Sequence, residues 1–187
     1  SDVCSSDLEQ NFTGTPAFGG SHTCVISKNA DLLWKVYLKV TLPALTKNAS
    51  SNYTGYVNGV GNALLKNVEI EIGGQKIDKH YGHWLQTWSE LTEKNETGAT
   101  AAVGAKGAEP TSGCTLFQKM SFNHTGVADA TSAAADTVTL AMVPLQFWFC
   151  RNPGLALPLI ALQYHEVKIK IEFAAVGAST GQDRKST

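Results

Sequence analysis

A chain of 187 residues, 43% hydrophobic with a mean hydropathy of −0.10, suits one domain or slightly more and is long enough to bury a core. The formal net charge of −1 provides no basic field for a phosphate backbone or an anionic lipid surface, and no apolar run approaches the roughly 18 residues of a membrane-spanning helix. Cys4, Cys24, Cys114 and Cys150 form no CxxC pair, which argues against a zinc site or redox motif and favours a reducing compartment over a disulfide scaffold.

In chain order, Ser1 to Leu8 is polar and acidic, carries no secretory signal and has no apolar period. It resembles the translation of a sequencing adapter, as does Asp183 to Thr187 at the other end. Residues 1–8 and 183–187 are therefore expected to be non-native tails around a segment 9–182 of zero formal charge.

Trp34, Val36, Leu38, Val40 and Leu42 alternate with polar positions, so Trp34 to Leu42 is expected as a strand that Pro43 ends. The Asn- and Thr-containing stretch 44–58 reads as an exposed loop. Val68, Ile70 and Ile72 alternate with Glu69 and Glu71, and Gly73-Gly74 supplies a tight hairpin turn before a short return strand, Gln75 to Ile77.

Trp84, Trp88 and Leu91, at i, i+4 and i+7, predict one amphipathic helix over about 80–92, with Asp78 as its N-cap. Residues 94–136 are rich in Ala, Gly, Thr and Ser and read as long loops around a short strand at Thr115 to Phe122. Val138 to Cys150 reads as a strand covered on both faces, with Cys150 a small buried hydrophobe. Arg151-Asn152-Pro153-Gly154 is a turn. Val167, Ile169, Ile171 and Phe173 alternate with Glu166, Lys168, Lys170 and Glu172, the cleanest strand in the sequence. The sum is an all-β class, an antiparallel β-sandwich with one short inserted helix.

Three blocks resemble the double jelly-roll major capsid proteins of nucleocytoplasmic large DNA viruses. They are Asn29-Ala30-Asp31-Leu32-Leu33 running into Val36 to Pro43; Val68 to Gly82 with Trp84-Leu85 and Trp88-Ser89-Glu90-Leu91-Thr92; and, most specific, Val143-Pro144-Leu145-Gln146-Phe147-Trp148-Phe149-Cys150-Arg151-Asn152-Pro153-Gly154 through Val167. The likeness spans Glu9 to about Phe173. It implies the first of two jelly rolls, with the second missing after residue 182, and a structural subunit that associates as a homotrimer of hexagonal outline and tiles an icosahedral capsid. It further implies contacts with neighbouring capsomers and minor capsid proteins, a place in the virion and assembly in the host cytoplasm. No direct nucleic-acid contact and no membrane insertion by this segment are expected.

No nucleophile elbow, phosphate loop or zinc-protease motif is present, and no catalytic residue, metal or cofactor is assigned. His80 and His83, with Glu90 nearby, are read as polar residues at a helix start, and His165-Glu166 as part of a strand. Asn11, Asn48, Asn52, Asn95 and Asn123 begin Asn-x-Ser/Thr sequons, half of the ten asparagines, where Ser/Thr content predicts roughly two. They are candidate glycosylation sites, although Thr-rich loop composition is the favoured explanation. Trp34, Trp84, Trp88 and Trp148 are expected in the core. The alternative functions are a jelly-roll carbohydrate-binding module, which needs an exposed aromatic row, and a cupin-type enzyme, which needs clustered histidines.

Overall fold

Alternation along the chain becomes two facing layers. The computed structural model describes residues 7–42, 59–94, 115–121 and 139–175. Its elements are β1 (Ser21–Val25), β2 (Leu32–Leu33), β3 (Tyr37–Leu42), α1 (Val60–Ala63), β4 (Leu65–Ile72), β5 (Gln75–His80), α2 (Gly82–Thr92), α3 (Leu116–Ser121), β6 (Thr139–Pro144), α4 (Trp148–Arg151), a 3-10 turn at Pro153–Leu155, β7 (Leu157–Pro158) and β8 (Val167–Phe173).

One antiparallel sheet has the order β1-β8-β4-β5; β3 pairs with β6 and β2 with β7, both antiparallel. Val167, Ile169, Ile171 and Phe173 of β8 are buried, as the period of two requires, and Ile169 and Ile171 lie opposite Ile70 and Val68. Leu38 of β3 and Val143 of β6 meet this sheet in a core that also contains Leu145, Phe147 and Phe149. Each fully buried side chain of this size stabilises the fold by roughly 1.5–3 kcal/mol. A smaller cluster joins Leu42, Val60, Leu64 and Ala141.

Gly73 and Gly74 form the β4–β5 turn with φ of 58° and 84°, the positive values a two-residue hairpin needs. The Gly73 N–H donates to the Glu166 carbonyl at 2.9 Å, tying the turn to the start of β8. Outside, Glu69 pairs with Lys79 and Lys76, Glu71 with Lys170 and Glu172 with Lys66, so charged residues cover the solvent face of the sheet.

Several expectations need correction. The strand expected from Trp34 begins at Tyr37, and Trp34 is 38% exposed rather than in the core. The return strand Gln75 to Ile77 extends to His80, so α2 starts at Gly82; Tyr81 occupies the N-cap position, while Asp78 accepts the Lys79 N–H. The stretch Val138 to Cys150 is no single strand: β6 ends at Pro144, which cannot donate to a ladder, and Trp148–Arg151 turns into a helix. The expected strand at Thr115 to Phe122 is α3. Its first turn is closed by reciprocal bonds between Thr115 and Gln118, Thr115 N–H to Gln118 Oε1 and Gln118 N–H to Thr115 Oγ1.

The buried face of α2 is also different from the one expected. Gly82, Leu85 and Ser89 face inward, whereas Trp84 and Leu91 are exposed and Trp88 is half-buried. A Cβ on Gly82 would overlap the carbonyl oxygens of Asn62 and Leu65. The helix therefore approaches α1 and β4 closely only along its small-residue stripe, and the bulky stripe turns outward.

Candidate functional site

The functional geometry gathers around α2. Where β5 meets the helix, Asp78, His80, Tyr81 and Trp84 face Gln146 and Arg151 across a cleft of about 270 Å³. His80 is the last residue of β5, opposite Val68 in register, and is 5% exposed; it is not on the helix surface as expected. Its ring meets Phe147 edge to face, and among the described residues neither ring nitrogen has a hydrogen-bond partner. Burial pushes its pKa down to about 4; Asp78 opposes the shift and Arg151 adds to it. At neutral pH the imidazole is uncharged.

A second groove, of about 480 Å³, shares Gln146 and Arg151 with the first and runs past Trp34, Tyr37, Trp88 and Phe117. The Trp84 and Trp88 rings lie 5.7 Å apart, the Arg151 guanidinium sits 4.6 Å from the centre of Trp88, and the Lys35 ammonium sits 4.5 Å from that of Trp34. Trp148, half-buried, presents a perpendicular contact to Phe149 at 5.1 Å. The expectation of four core tryptophans is thus corrected. Nor do they form a flat sugar platform, because the chain's own cations occupy faces of Trp34 and Trp88.

The described histidines are dispersed. His22 accepts the Ala17 N–H at 3.0 Å and packs against Phe12 and Phe173. His83 is exposed on α2, and His165 is exposed beside Gly73. Glu166 pairs with Lys168, and Glu90 accepts from Gln86. Among the described residues no three His, Cys, Asp or Glu side chains gather as metal ligands. Burial raises the thiol pKa of both Cys24 and Cys150; Cys150 is only half-buried. Asn11 is exposed, whereas Asn48, Asn52, Asn95 and Asn123 lie outside the described residues.

The buried His80 and the open aromatic face were missed in the sequence. The sequence carried no signal for His80: the single apolar residue of β5, Ile77, is exposed, and it is the pairing with Val68 that turns position 80 toward the core. Fold and site together define a jelly-roll β-sandwich whose chemistry lies on its surface.

Comparison with known proteins makes the class specific: residues 4–183 match the family described as "Major capsid protein N-terminus", and the chain belongs to that family. It is 47% identical over 167 residues to the major capsid protein of Pyramimonas orientalis virus, covering 89% of this chain and 37% of that protein. It is 42% identical to the major capsid protein of Phaeocystis pouchetii virus, covering 96% and 37%. Among solved structures, the PBCV-1 virus capsid aligns with a TM-score of 0.67 at 31% identity, over 90% of this chain and 34% of that one. The chain thus spans little more than a third of the curated relatives it matches.

Proposed function

We propose that this chain is the N-terminal jelly-roll portion of the structural subunit of an icosahedral viral capsid. The observation that carries this reading is the 47% identity to a major capsid protein, held across nearly the whole described sandwich. In the full-length protein, three copies associate into pseudo-hexagonal capsomers that contact neighbouring capsomers and minor capsid proteins. Rigid faces, rather than a reaction centre, perform this work, so the reading assigns no catalysis, cofactor, nucleic-acid contact or membrane insertion to the segment. Its place is the virion, after assembly in the host cytoplasm. Residues 9–182 form the domain; the family match runs from residue 4 to residue 183, so it reaches into both adapter-like strings, and the unclipped coding sequence tests whether they are native.

The decisive experiment is light scattering and electron microscopy of the full-length protein. A mass of three subunits and hexagonal arrays are expected; a monomer that never assembles overturns the reading. In a cytoplasmically assembled virion Asn11 carries no glycan, and the mass of its tryptic peptide checks this.

A further inference from the structure

The segment before β1 is tied down as a strap. Glu9 pairs with Lys39 of β3 at 3.0 Å, the Thr13 N–H donates to the Thr23 carbonyl at 2.9 Å, and Phe12 packs edge-on against Phe173. Farther along, the Gly19 N–H donates to the Ala174 carbonyl at 3.2 Å and the Phe173 N–H to the Gly20 carbonyl at 3.0 Å, which fixes the strap to the end of β8. Between these ties, Thr15 to Phe18 is an exposed loop. Gly14 and Gly19 bound it, with φ of 83° and 72°, so the chain turns sharply on either side.

Among the described residues, the side chain that bonds this loop from outside is His22, whose Nε2 accepts the Ala17 N–H at 3.0 Å. Its ring is wedged between Phe12 and Phe173, at centroid distances of 6.4 and 5.8 Å. Position 20 leaves room for this approach, because a Cβ on Gly20 would come within 2.6 Å of Nε2.

A ring nitrogen that accepts a hydrogen bond carries no proton. The imidazole is therefore neutral with its hydrogen on Nδ1, and a second proton turns Nε2 into a donor aimed at another donor. From β8 the ring meets Phe173 and its register partner Ile171; Lys170 and Glu172 alternate to the outer face, where Glu172 pairs with Lys66. Of the two described acids before β1, Glu9 is taken by Lys39 and Asp7 is exposed at the start of the chain. Cys24, next along the inner face of β1, is a thiol that burial keeps uncharged. An imidazolium at this place thus gains no ion pair from the described residues.

We infer that His22 is a proton-operated latch: neutral, it holds the Thr15–Phe18 loop against β1 and the end of β8; protonated, it lets the loop go while the sheet stays closed. Acid then loosens the point where the strap crosses the end of β8 and leaves the Thr13–Thr23 tie in place.

NMR of the chain labelled with nitrogen-15, followed through a pH titration, tests this, with the His22 ring resonances reporting its protonation directly. As the ring protonates, the order parameters of Ala17 and Phe18 are expected to fall from about 0.85 to below about 0.6, and the nitrogen–nitrogen coupling across the Ala17 N–H···Nε2 bond to vanish. Ile169 and Ile171 of β8 are the internal reference, because acid acting on the buried His80 would loosen the core as well. In His22→Gln, whose side-chain carbonyl accepts the Ala17 N–H but takes up no proton, the loop should stay ordered throughout. In His22→Leu, which keeps the apolar packing and removes the acceptor, it should be mobile already at neutral pH. An ordered loop beside a protonated His22, an ordered loop in His22→Leu, acid loosening undiminished in His22→Gln, or loss of order in β8 in the same step would each overturn the inference.

Discussion

His80 and Phe147 meet edge to face, with ring centroids 4.6 Å apart and planes at 69°, and this contact seals the imidazole from water at the inner wall of the cleft. A neutral ring tolerates the site; a protonated one loses its hydration and gains no hydrogen bond from the described residues.

Acid should therefore weaken the fold through this residue. The folded pKa is about 4 against an ordinary 6.5, so between these values the unfolded chain binds more protons. Stability is fully present above pH 6.5 and is lost as pH falls toward 4, by about 3 kcal/mol at most for a shift of this size. Urea midpoints at pH 7 and pH 4.5 should differ less in His80→Phe than in the parent. An unchanged difference would show that His80 is not the titrating group.

Phe147→Ala should act on the same contact and on the core. Phe147 is fully buried and stacks on Phe149 with centroids 5.5 Å apart. The truncation is expected to cost about 3–5 kcal/mol, and opening the wall should bring the His80 pKa back toward 6.5. Thermal melts measure the first effect and histidine NMR titration the second.

The helices have their own close approach. A methyl at Gly61 would overlap the Ser121 carbonyl oxygen of α3 and come within 3.1 Å of Val143 Cγ2. Gly61→Ala should cost about 3 kcal/mol or more, because backbone must move. Gly74→Ala meets open space and suffers only its left-handed φ of 84°, roughly 1–2 kcal/mol. Denaturation midpoints in the reverse order would disprove the α1–α3 contact.

On the charged face, Glu69 accepts from Lys79 at 2.7 Å and Lys76 at 3.2 Å, and Lys79 above all holds its carboxyl below the usual range. This stabilisation is present above the ordinary carboxylate pKa and is lost as pH falls through the lowered folded value. Glu69→Gln should cost only about 0.2–1 kcal/mol, because solvent screens the pairs. The difference between the proteins should shrink in 1 M salt, measured by urea denaturation.

The strands β4 and β8 were legible because alternation with a period of two records which side of a strand meets the core; β8 keeps that period throughout, and β4 keeps it from Val68 to Ile70, between register shifts at Leu65/Asn67 and Ile70/Glu71. The helix at 82–92 was legible as a helix but not in its orientation. It carries two stripes, Gly82–Leu85–Ser89 and Trp84–Trp88–Leu91, and hydrophobicity favours the second. Steric approach to the Asn62 and Leu65 carbonyls decides for the first. The run from Val138 to Cys150 failed for a related reason: an apolar run is compatible with strand or helix, and the turn after Pro144 is held by a distant partner, the Val36 carbonyl accepting the Leu145 N–H at 2.9 Å.

By itself, then, the sequence determined the all-β sandwich, its hairpin at Gly73-Gly74 and its likeness to a capsid family, because period, turn chemistry and local motifs are written in neighbouring residues. Only the tertiary structure decided that His80 is buried without a hydrogen-bond partner among the described residues and that Trp34 and Trp84 stand open. Those outcomes depend on which distant backbone lies opposite each side chain, and periodicity carries no record of that.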